Sequence, residues 1–410
     1  MGLGAQKLHA SLIFDNPGIR DIGCLRVVVT VKSKRLLLLV YDGIANSVFE
    51  SLVLLPALKK VEIGLFSHVD IVLFESAYEA AHERVQKLQA QSRAISFHII
   101  RRLPVIGKIS VGILAPVLGR WLLDNWYDEI LVRGPLAAYL LSCAISWFVL
   151  PLKPGWRVPI AVQIRGLAAE EIRLSYHVEK RTGFLKRCLF LLKFKTLEAI
   201  ELSVYRANSW PVPVKMYAVS SALQDYVVQH FGGDAEQISI ETADLIESVS
   251  PALVLEWRAE LRGFLKIPQS AVVYGYSGSC KRWQCAQETV EYIIARLAEN
   301  PETFGLILTT DVLEFEKIIE TFSFDRSRLL LKLVQPKDVL RWTAVFDYGI
   351  LLRYQDIVNW VSRPTKALEY QAVGLKIIHN NTVKWLIDYE KTVGAGGREM
   401  TPHPRQVSLS

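Results

Sequence analysis

The segment Ser362-Arg-Pro-Thr-Lys-Ala-Leu-Glu-Tyr370 gathers a hydroxyl, a cation and a carboxylate within about one helical turn. Pro364 suits the first turn of a helix, where its missing N–H costs nothing, and Ser362 stands near the N-cap. The free N–H groups at such a helix start attract phosphate, helped by the positive end of the helix dipole. Thr365 and Lys366 add a hydroxyl and an ammonium at the same end. Glu369 comes next, and a carboxylate there can accept two hydrogen bonds from a ribose diol. These are the parts of a nucleotide site. The same residues also fit a plain capped helix that stops at Gly374.

Such a helix must be held at the edge of a sheet, and the chain supplies the elements. Residues 36–41 are a short, fully apolar run, as expected of a central parallel strand. It ends at Asp42-Gly43 and leads into a helical pattern over 47–60. The alternation continues with strands at 69–74, 130–133 and 159–164, helices at 77–91, 136–150 and 184–205, and a strand at 217–220 before helix 222–230. A second series starts with strand 272–276 and helix 284–299. Strands follow at 305–309, 329–333, 348–352 and 375–378, separated by helices 311–321, 336–344 and 364–373. Two successive α/β series predict two Rossmann-like domains. The expected division is a loose leader over 1–35, a first domain over 36–243, a second over 244–385, and a disordered tail over 386–410.

Segments 269–290 and 336–378 resemble the C-terminal domain of the large retaining glycosyltransferase family built on the GT-B fold. That fold is α/β, with two Rossmann-like domains facing across a cleft. In the family a strand ends in a glycine turn, as here in Tyr274-Gly-Tyr-Ser-Gly-Ser279, which includes Gly278. A basic residue after the turn pairs with the donor diphosphate, and it maps to Lys281 or Arg282. The resemblance places the diphosphate-facing helix start at Pro364, Thr365 and Lys366, and the ribose carboxylate at Glu369. Arg353, after strand 348–352, would supply bidentate hydrogen bonds to phosphate. The N-terminal half resembles the family through loops that end strands. Gly43 lies in its first sugar-facing loop, and Arg133, Gly134, Arg165 and Gly166 line the cleft on the acceptor side. Glu171 follows at the next helix start. A surface pair of Arg165 and Glu171 is the alternative for those two.

The implied activity is transfer of a sugar from a nucleotide-sugar donor to a glycan or lipid-linked acceptor, retaining and without a metal ion or other cofactor. Fixed positive charge would stabilise the diphosphate leaving group. The catalytic base has no evident counterpart, since Gln163 stands where an acidic residue would be expected. The sequence departs from the family in two places. Val361 occupies the position of the first of two spaced glutamates, and only about 30 residues follow Ile378, where the family continues with a helix that crosses back onto the N-terminal domain. Both departures motivate an alternative, a degenerate or truncated GT-B protein that binds a nucleotide-sugar or a partner without catalysis.

Bulk properties set the surroundings. The chain has 410 residues, of which 51% are hydrophobic and 22% charged, enough for two domains with real cores. Residues 1–240 carry 28 basic and 20 acidic side chains, whereas the rest is close to neutral. A basic half suits a phosphate-rich partner such as an anionic membrane surface, and no nucleic-acid recognition motif accompanies it. In helix 184–205, Lys186, Lys193 and Glu201 share one polar arc, with Leu185, Leu189, Leu192 and Ile200 outside it. Such a helix either packs on the sheet or lies on a membrane. The apolar run 136–150 reads as a buried helix, too short at 15 residues to span a bilayer. Five scattered cysteines without a Cys-x-x-Cys pair suggest neither a metal site nor a disulfide framework. They fit a reducing, cytoplasmic setting, with possible attachment to the inner face of a membrane.

Overall fold

A computed structural model of the chain describes residues 34–44, 49–89, 92–103, 108–178, 183–241 and 246–394. The expected leader, apart from its last two residues, lies outside these. So do the boundary at 243 and the last sixteen residues of the tail.

The first lobe alternates strands and helices. β1 (Arg35–Tyr41) leads through a wide turn to α1 (Leu55–Glu62), followed by β2 (His68–Glu75), α2 (Tyr78–Gln89), β3 (Ile95–Arg101) and α3 (Lys108–Asp124). Next come β4 (Glu129–Arg133), α4 (Gly134–Ala144), α5 (Leu150–Leu152), β5 (Ile160–Ile164), α6 (Ala168–Val178) and α7 (Phe184–Tyr205). β6 (Val214–Ala218), α8 (Ser221–Phe231) and β7 (Ile238–Ile240) complete it. All seven strands are parallel, in the order β3-β2-β1-β4-β5-β6-β7. β1 shows why its sequence is a continuous apolar run. Leu37, Leu39 and Tyr41 enter the core on one face of the sheet, and Leu36, Leu38 and Val40 the core on the other. Burying each such side chain contributes roughly 1.5–3 kcal/mol.

The second lobe runs α9 (Pro251–Leu265), β8 (Val272–Ser277), α10 (Ala286–Glu299), β9 (Thr303–Leu308), α11 (Val312–Ile319), β10 (Leu329–Lys332) and α12 (Val339–Thr343). It continues with β11 (Tyr348–Leu351), α13 (Ile357–Trp360), α14 (Thr365–Ala372), β12 (Lys376–His379) and α15 (Lys384–Gly394). Its five parallel strands are ordered β10-β9-β8-β11-β12. The strand order reverses between β1 and β4 in the first sheet and between β8 and β11 in the second. Ligands of open parallel sheets bind beyond the carboxyl ends of strands at such reversals.

Three expectations need correction. Residues 386–394 are not disordered tail. They belong to α15, whose Leu386 is buried with Leu351, Ala367 and Val383, and which reaches α8 of the first lobe. A helix that touches the first lobe thus follows β12. The apolar run 136–150 belongs to a continuous helical stretch, Gly134–Leu152, which is long and apolar enough to cross a membrane. Eight of its residues, from Ala137 to Val149, are nevertheless built into the first core.

The polar arc of α7 is also rearranged. Leu189 and Leu192 are exposed, whereas Glu201 is wholly buried. The helix is buried on the body chiefly through its C-terminal part, at Leu197, Ile200 and Val204, while Phe190 in its first half stacks on Tyr176 of α6 at 4.1 Å. Glu201 turns inward because it accepts the first N–H groups of α6, from Ala168 at 2.6 Å and Ala169 at 3.3 Å.

The lobes are joined by specific links. Ser220 caps α8 by accepting from the Leu223 N–H, and its hydroxyl donates to the Val361 carbonyl at 2.5 Å. Arg173 of α6 pairs with Glu170 and with Asp356 of the second lobe. Arg282 donates to the Val178 carbonyl, and Arg363 to the Glu241 carbonyl. Val361 itself is 1% exposed and sits in the first-lobe core.

Candidate functional site between the lobes

A cavity of about 560 Å³ opens where the two lobes meet. Arg165, Gly166 and Glu171 line it from the first lobe, and Trp283, Arg353 and Pro364 from the second. Five of the residues singled out in the sequence thus share one wall-to-wall space.

On the second-lobe side the site is built at the β8–β11 reversal. β8 ends at Ser277, and Gly278 follows with φ +148°. A Cβ there would lie 2.7 Å from the Lys366 Nζ, so only glycine allows this approach. The Lys366 ammonium is buried on the first turn of α14. It donates to the Gln284 side-chain oxygen at 3.1 Å and lies 4.0 Å from the centre of the Tyr276 ring. Burial, and then the nearby Arg353 charge, hold its pKa well below the usual lysine value. Arg353 follows β11. Its backbone is fixed by paired hydrogen bonds with the Asn380 side chain, and its buried Nε has no hydrogen-bond partner among the described residues. Burial lowers its pKa too. Glu369 stands one turn further along α14, and burial, partly offset by the Lys366 charge, pushes its carboxyl up to about 7.

Pro364 is the N-cap of α14, and no side chain caps the helix. Ser362, expected near that cap, instead donates its hydroxyl to the Asn359 carbonyl at 2.8 Å, inside its own turn. Thr365 begins the helix, so its N–H faces no intrahelical acceptor. Lys281 is exposed and lies over the Trp283 ring at 5.0 Å, and Arg282 is engaged with the first lobe. The loop after Gly278 reaches the buried cation through Gln284.

On the first-lobe side Glu171 opens into the cavity against Gly166, where a Cβ would meet its Oε1 at 2.5 Å. Its place deep in the cleft raises its carboxyl pKa. The Asp42-Gly43 turn is held elsewhere, by the Glu75 carboxylate, which accepts from the Gly43 and Ile44 N–H groups at 3.0 and 2.9 Å. Asp42 pairs with Arg102. Arg133 donates to the Leu52 carbonyl at 2.6 Å, and Gly134, at φ +79°, starts α4. Gly43, Arg133 and Gly134 thus gather at the β1–β4 reversal and lie outside the cavity lining.

Sequence reasoning missed Tyr276, Gln284, Asn359, Glu241 and Arg363. Tyr276 reads as one more apolar residue of a buried strand. The other four are placed by tertiary contacts, and their only local signal was proximity to a strand end or a helix start.

Two facing, all-parallel α/β lobes with a cleft at the strand reversals define the GT-B fold, as solved structures show. A glycosyltransferase from Rickettsia africae aligns over 86% of this chain and 80% of its own, at 11% identity and a TM-score of 0.57. WaaG, a glycosyltransferase involved in lipopolysaccharide biosynthesis, aligns over 87% and 84%, at 15% identity and a TM-score of 0.54. The UDP-forming α,α-trehalose-phosphate synthase from Burkholderia vietnamiensis aligns over 86% of each chain, at 9% identity and a TM-score of 0.50. No family model matches the sequence, and no curated protein matches it.

Proposed function

We propose that this chain is a glycosyltransferase that binds a nucleotide-sugar in the second lobe and transfers the sugar to a glycan or lipid-linked acceptor held by the first. The observation that carries this reading is the pairing of buried Lys366 with half-buried Arg353, whose Nε is inaccessible, beside Gly278 and the uncapped start of α14. Buried cations without carboxylates in contact are costly unless an anion completes them. A diphosphate would do so. As the bond to the sugar breaks, negative charge grows on the leaving phosphate. Lys366, Arg353 and the first N–H groups of α14 are preorganised to stabilise it. Glu369 accepts the ribose hydroxyls, and the closed lobes keep water from the reacting sugar carbon. The reaction is retaining and needs no metal ion in this reading, by resemblance of the Ser362–Tyr370 segment. The binding-only alternative rests on Val361, whose place in the first-lobe core leaves no carboxylate there. Its other support, the short stretch after Ile378, is weakened by α15, which touches α8 of the first lobe.

The acceptor would be met at an anionic membrane, on the cytoplasmic side. The first half of α7, held to α6 by the stacking of Phe190 on Tyr176, leaves Phe184, Leu189, Leu191 and Leu192 exposed, with the cations Lys186, Arg187, Lys193 and Lys195 beside them. Apolar side chains mixed with cations match an anionic lipid surface in charge and in depth.

The test is thermal unfolding with UDP, GDP, ADP and their sugars. One nucleotide is expected to raise the melting temperature, and Glu369→Ala and Lys366→Ala to abolish the rise. No shift with any of them would refute the donor site. In parallel, vesicles containing phosphatidylglycerol are expected to retain the protein, and Leu189→Glu with Leu192→Glu to release it. Equal retention of the double variant would refute the lipid contact.

A further inference from the structure

One carboxylate on the cavity wall has no task in the fold. Ala168, Glu171, Ile172 and Ser175 line the cavity from α6, at a spacing that puts them on one face of the helix. The backbone that carries Glu171 is fixed. Its N–H donates to the Leu167 carbonyl at 2.8 Å, and Glu201 ties down the N–H groups of Ala168 and Ala169 just before it. Glu170 and Arg173, outside this stripe, form the link to Asp356. The Glu171 side chain takes part in no hydrogen bond or ion pair among the described residues, and none joins it to Arg165 on the same wall. One of its oxygens packs against Gly166, where a Cβ would come within 2.5 Å. Two other polar side chains of the lining are committed. Asn359 donates its amide to the Tyr354 carbonyl at 2.8 Å, and Ser362 its hydroxyl to the Asn359 carbonyl at 2.8 Å.

A carboxylate deep in a cleft loses hydration, and burial raises the Glu171 pKa accordingly. Hydroxyl donors would restore what is lost, and a carboxylate can accept from two of them at once. A phosphate or a second carboxylate would instead be repelled there. The second-lobe wall has the opposite character, with Arg353 and the uncapped helix start at Pro364 in the lining. A molecule whose diphosphate lies against that wall therefore turns a neutral, hydroxyl-bearing part toward Glu171.

We infer that Glu171 selects the sugar that is transferred: it accepts hydrogen bonds from the hydroxyls of a neutral sugar and excludes a uronate, whose carboxylate would meet its charge. This inference rests on the nucleotide-sugar reading, in which the diphosphate is held by the second lobe. Contacts made by Glu171 alone would then separate one conjugate of a nucleotide from another, whereas affinity for the bare diphosphate is set by the second lobe.

The experiment is isothermal titration of the full chain with UDP, GDP and ADP, and with the glucose and glucuronate conjugates of the base that binds. The wild type is expected to bind the glucose conjugate at least about tenfold more tightly than the glucuronate conjugate. Glu171→Gln keeps the volume and removes the charge. In it this preference is expected to shrink at least about fivefold, while affinity for the free diphosphate stays within about twofold. Glu171→Asp keeps the charge and is expected to keep the exclusion of the uronate. Should Glu171→Gln fail to fold, Glu171→Ala carries the same expectation. The inference is overturned if the wild type binds both conjugates equally, if the preference survives the loss of the carboxylate, or if the free diphosphate loses as much affinity as the glucose conjugate. Absence of any nucleotide binding would refute the donor site and this inference with it. Intact diphosphate binding with an unchanged preference would refute this inference alone.

Discussion

The Glu369 carboxyl gives nucleotide binding a pH signature of known sign. Its pKa is pushed up to about 7, chiefly by burial, with the Lys366 charge acting against the rise. A ribose diol donates two hydrogen bonds, so it is bound by the carboxylate and not by the acid. At pH 8 about nine-tenths of the group is ionised, and at pH 5.5 about one part in thirty. Affinity for a nucleoside diphosphate should therefore weaken about thirty-fold between these values, or about 2 kcal/mol. Lys366 acts on the other limb, since its ammonium, favoured by a diphosphate, is lost below the usual lysine range. Titrating a nucleoside without phosphates removes that limb and leaves the ribose contact.

Stability without ligand must run in the opposite direction. A carboxyl whose folded pKa is raised contributes most below its unfolded value, near 4.5, and that contribution is lost as pH rises through about 7. Isothermal titration from pH 5.5 to 8 measures the first trend, and urea denaturation the second. Glu369→Gln should flatten the binding trend, make the stability trend shallower and weaken nucleoside binding at pH 8. Wild-type affinity that is flat across this range, or an affinity slope that persists in Glu369→Gln, would refute the ribose assignment.

Two further substitutions probe the frame around the site. Gly278→Ala places a Cβ 2.7 Å from the Lys366 Nζ at a backbone angle only glycine adopts freely. It should cost about 1–3 kcal/mol in urea denaturation and weaken diphosphate binding, and unchanged stability would contradict the close approach. The Glu201 carboxyl, raised to about 8 by burial, should make the wild type lose stability as pH climbs from 4.5 to 8. Glu201→Gln keeps an acceptor for the α6 start and should make that slope shallower, leaving the part due to Glu369, as fluorescence-monitored unfolding across pH would show.

Most of the architecture was legible because parallel strands buried on both faces leave an unmistakable apolar run. Leu36 to Tyr41 and Val69 to Phe74 fill both cores at once, so neither could be mistaken for a surface strand. β3 was missed because its middle residues are only half buried and its sequence mixes His98 with Ile99 and Ile100. α9 was missed because its exposed apolar residues, Leu253, Leu255 and Phe264, blur its periodicity. In α7 the failure had another cause. Helical periodicity orders residues around an axis but does not say which arc meets the body or how far along the packing extends. Glu201 faces inward because the start of α6 needs acceptors, a requirement that lies 33 residues away. Gly278 and Pro364 could be marked in the sequence because a glycine turn and a helix start are features of local backbone geometry. Lys366, Gln284 and Arg363 have their partners on other elements, and no local pattern marks those contacts.

One segment ties the site to the arrangement of the lobes. Asp356 pairs with Arg173, the Val361 carbonyl accepts from Ser220, and Arg363 donates to the Glu241 carbonyl. Asn359 and Ser362 between these anchors, and Pro364 just after them, line the cavity. The contacts that would hold substrate and those that set the lobes together thus share nine consecutive residues, leading directly into α14. A change in lobe orientation cannot leave the start of α14 where it is, because the same peptide units carry both. Val361, which stands where the resembled family has the first of two spaced glutamates, anchors this segment in the first-lobe core. In the proposed reading the sugar would then be oriented by the polar side chains that remain at the cavity wall, among them Arg165, Glu171, Ser175, Asn359 and Ser362.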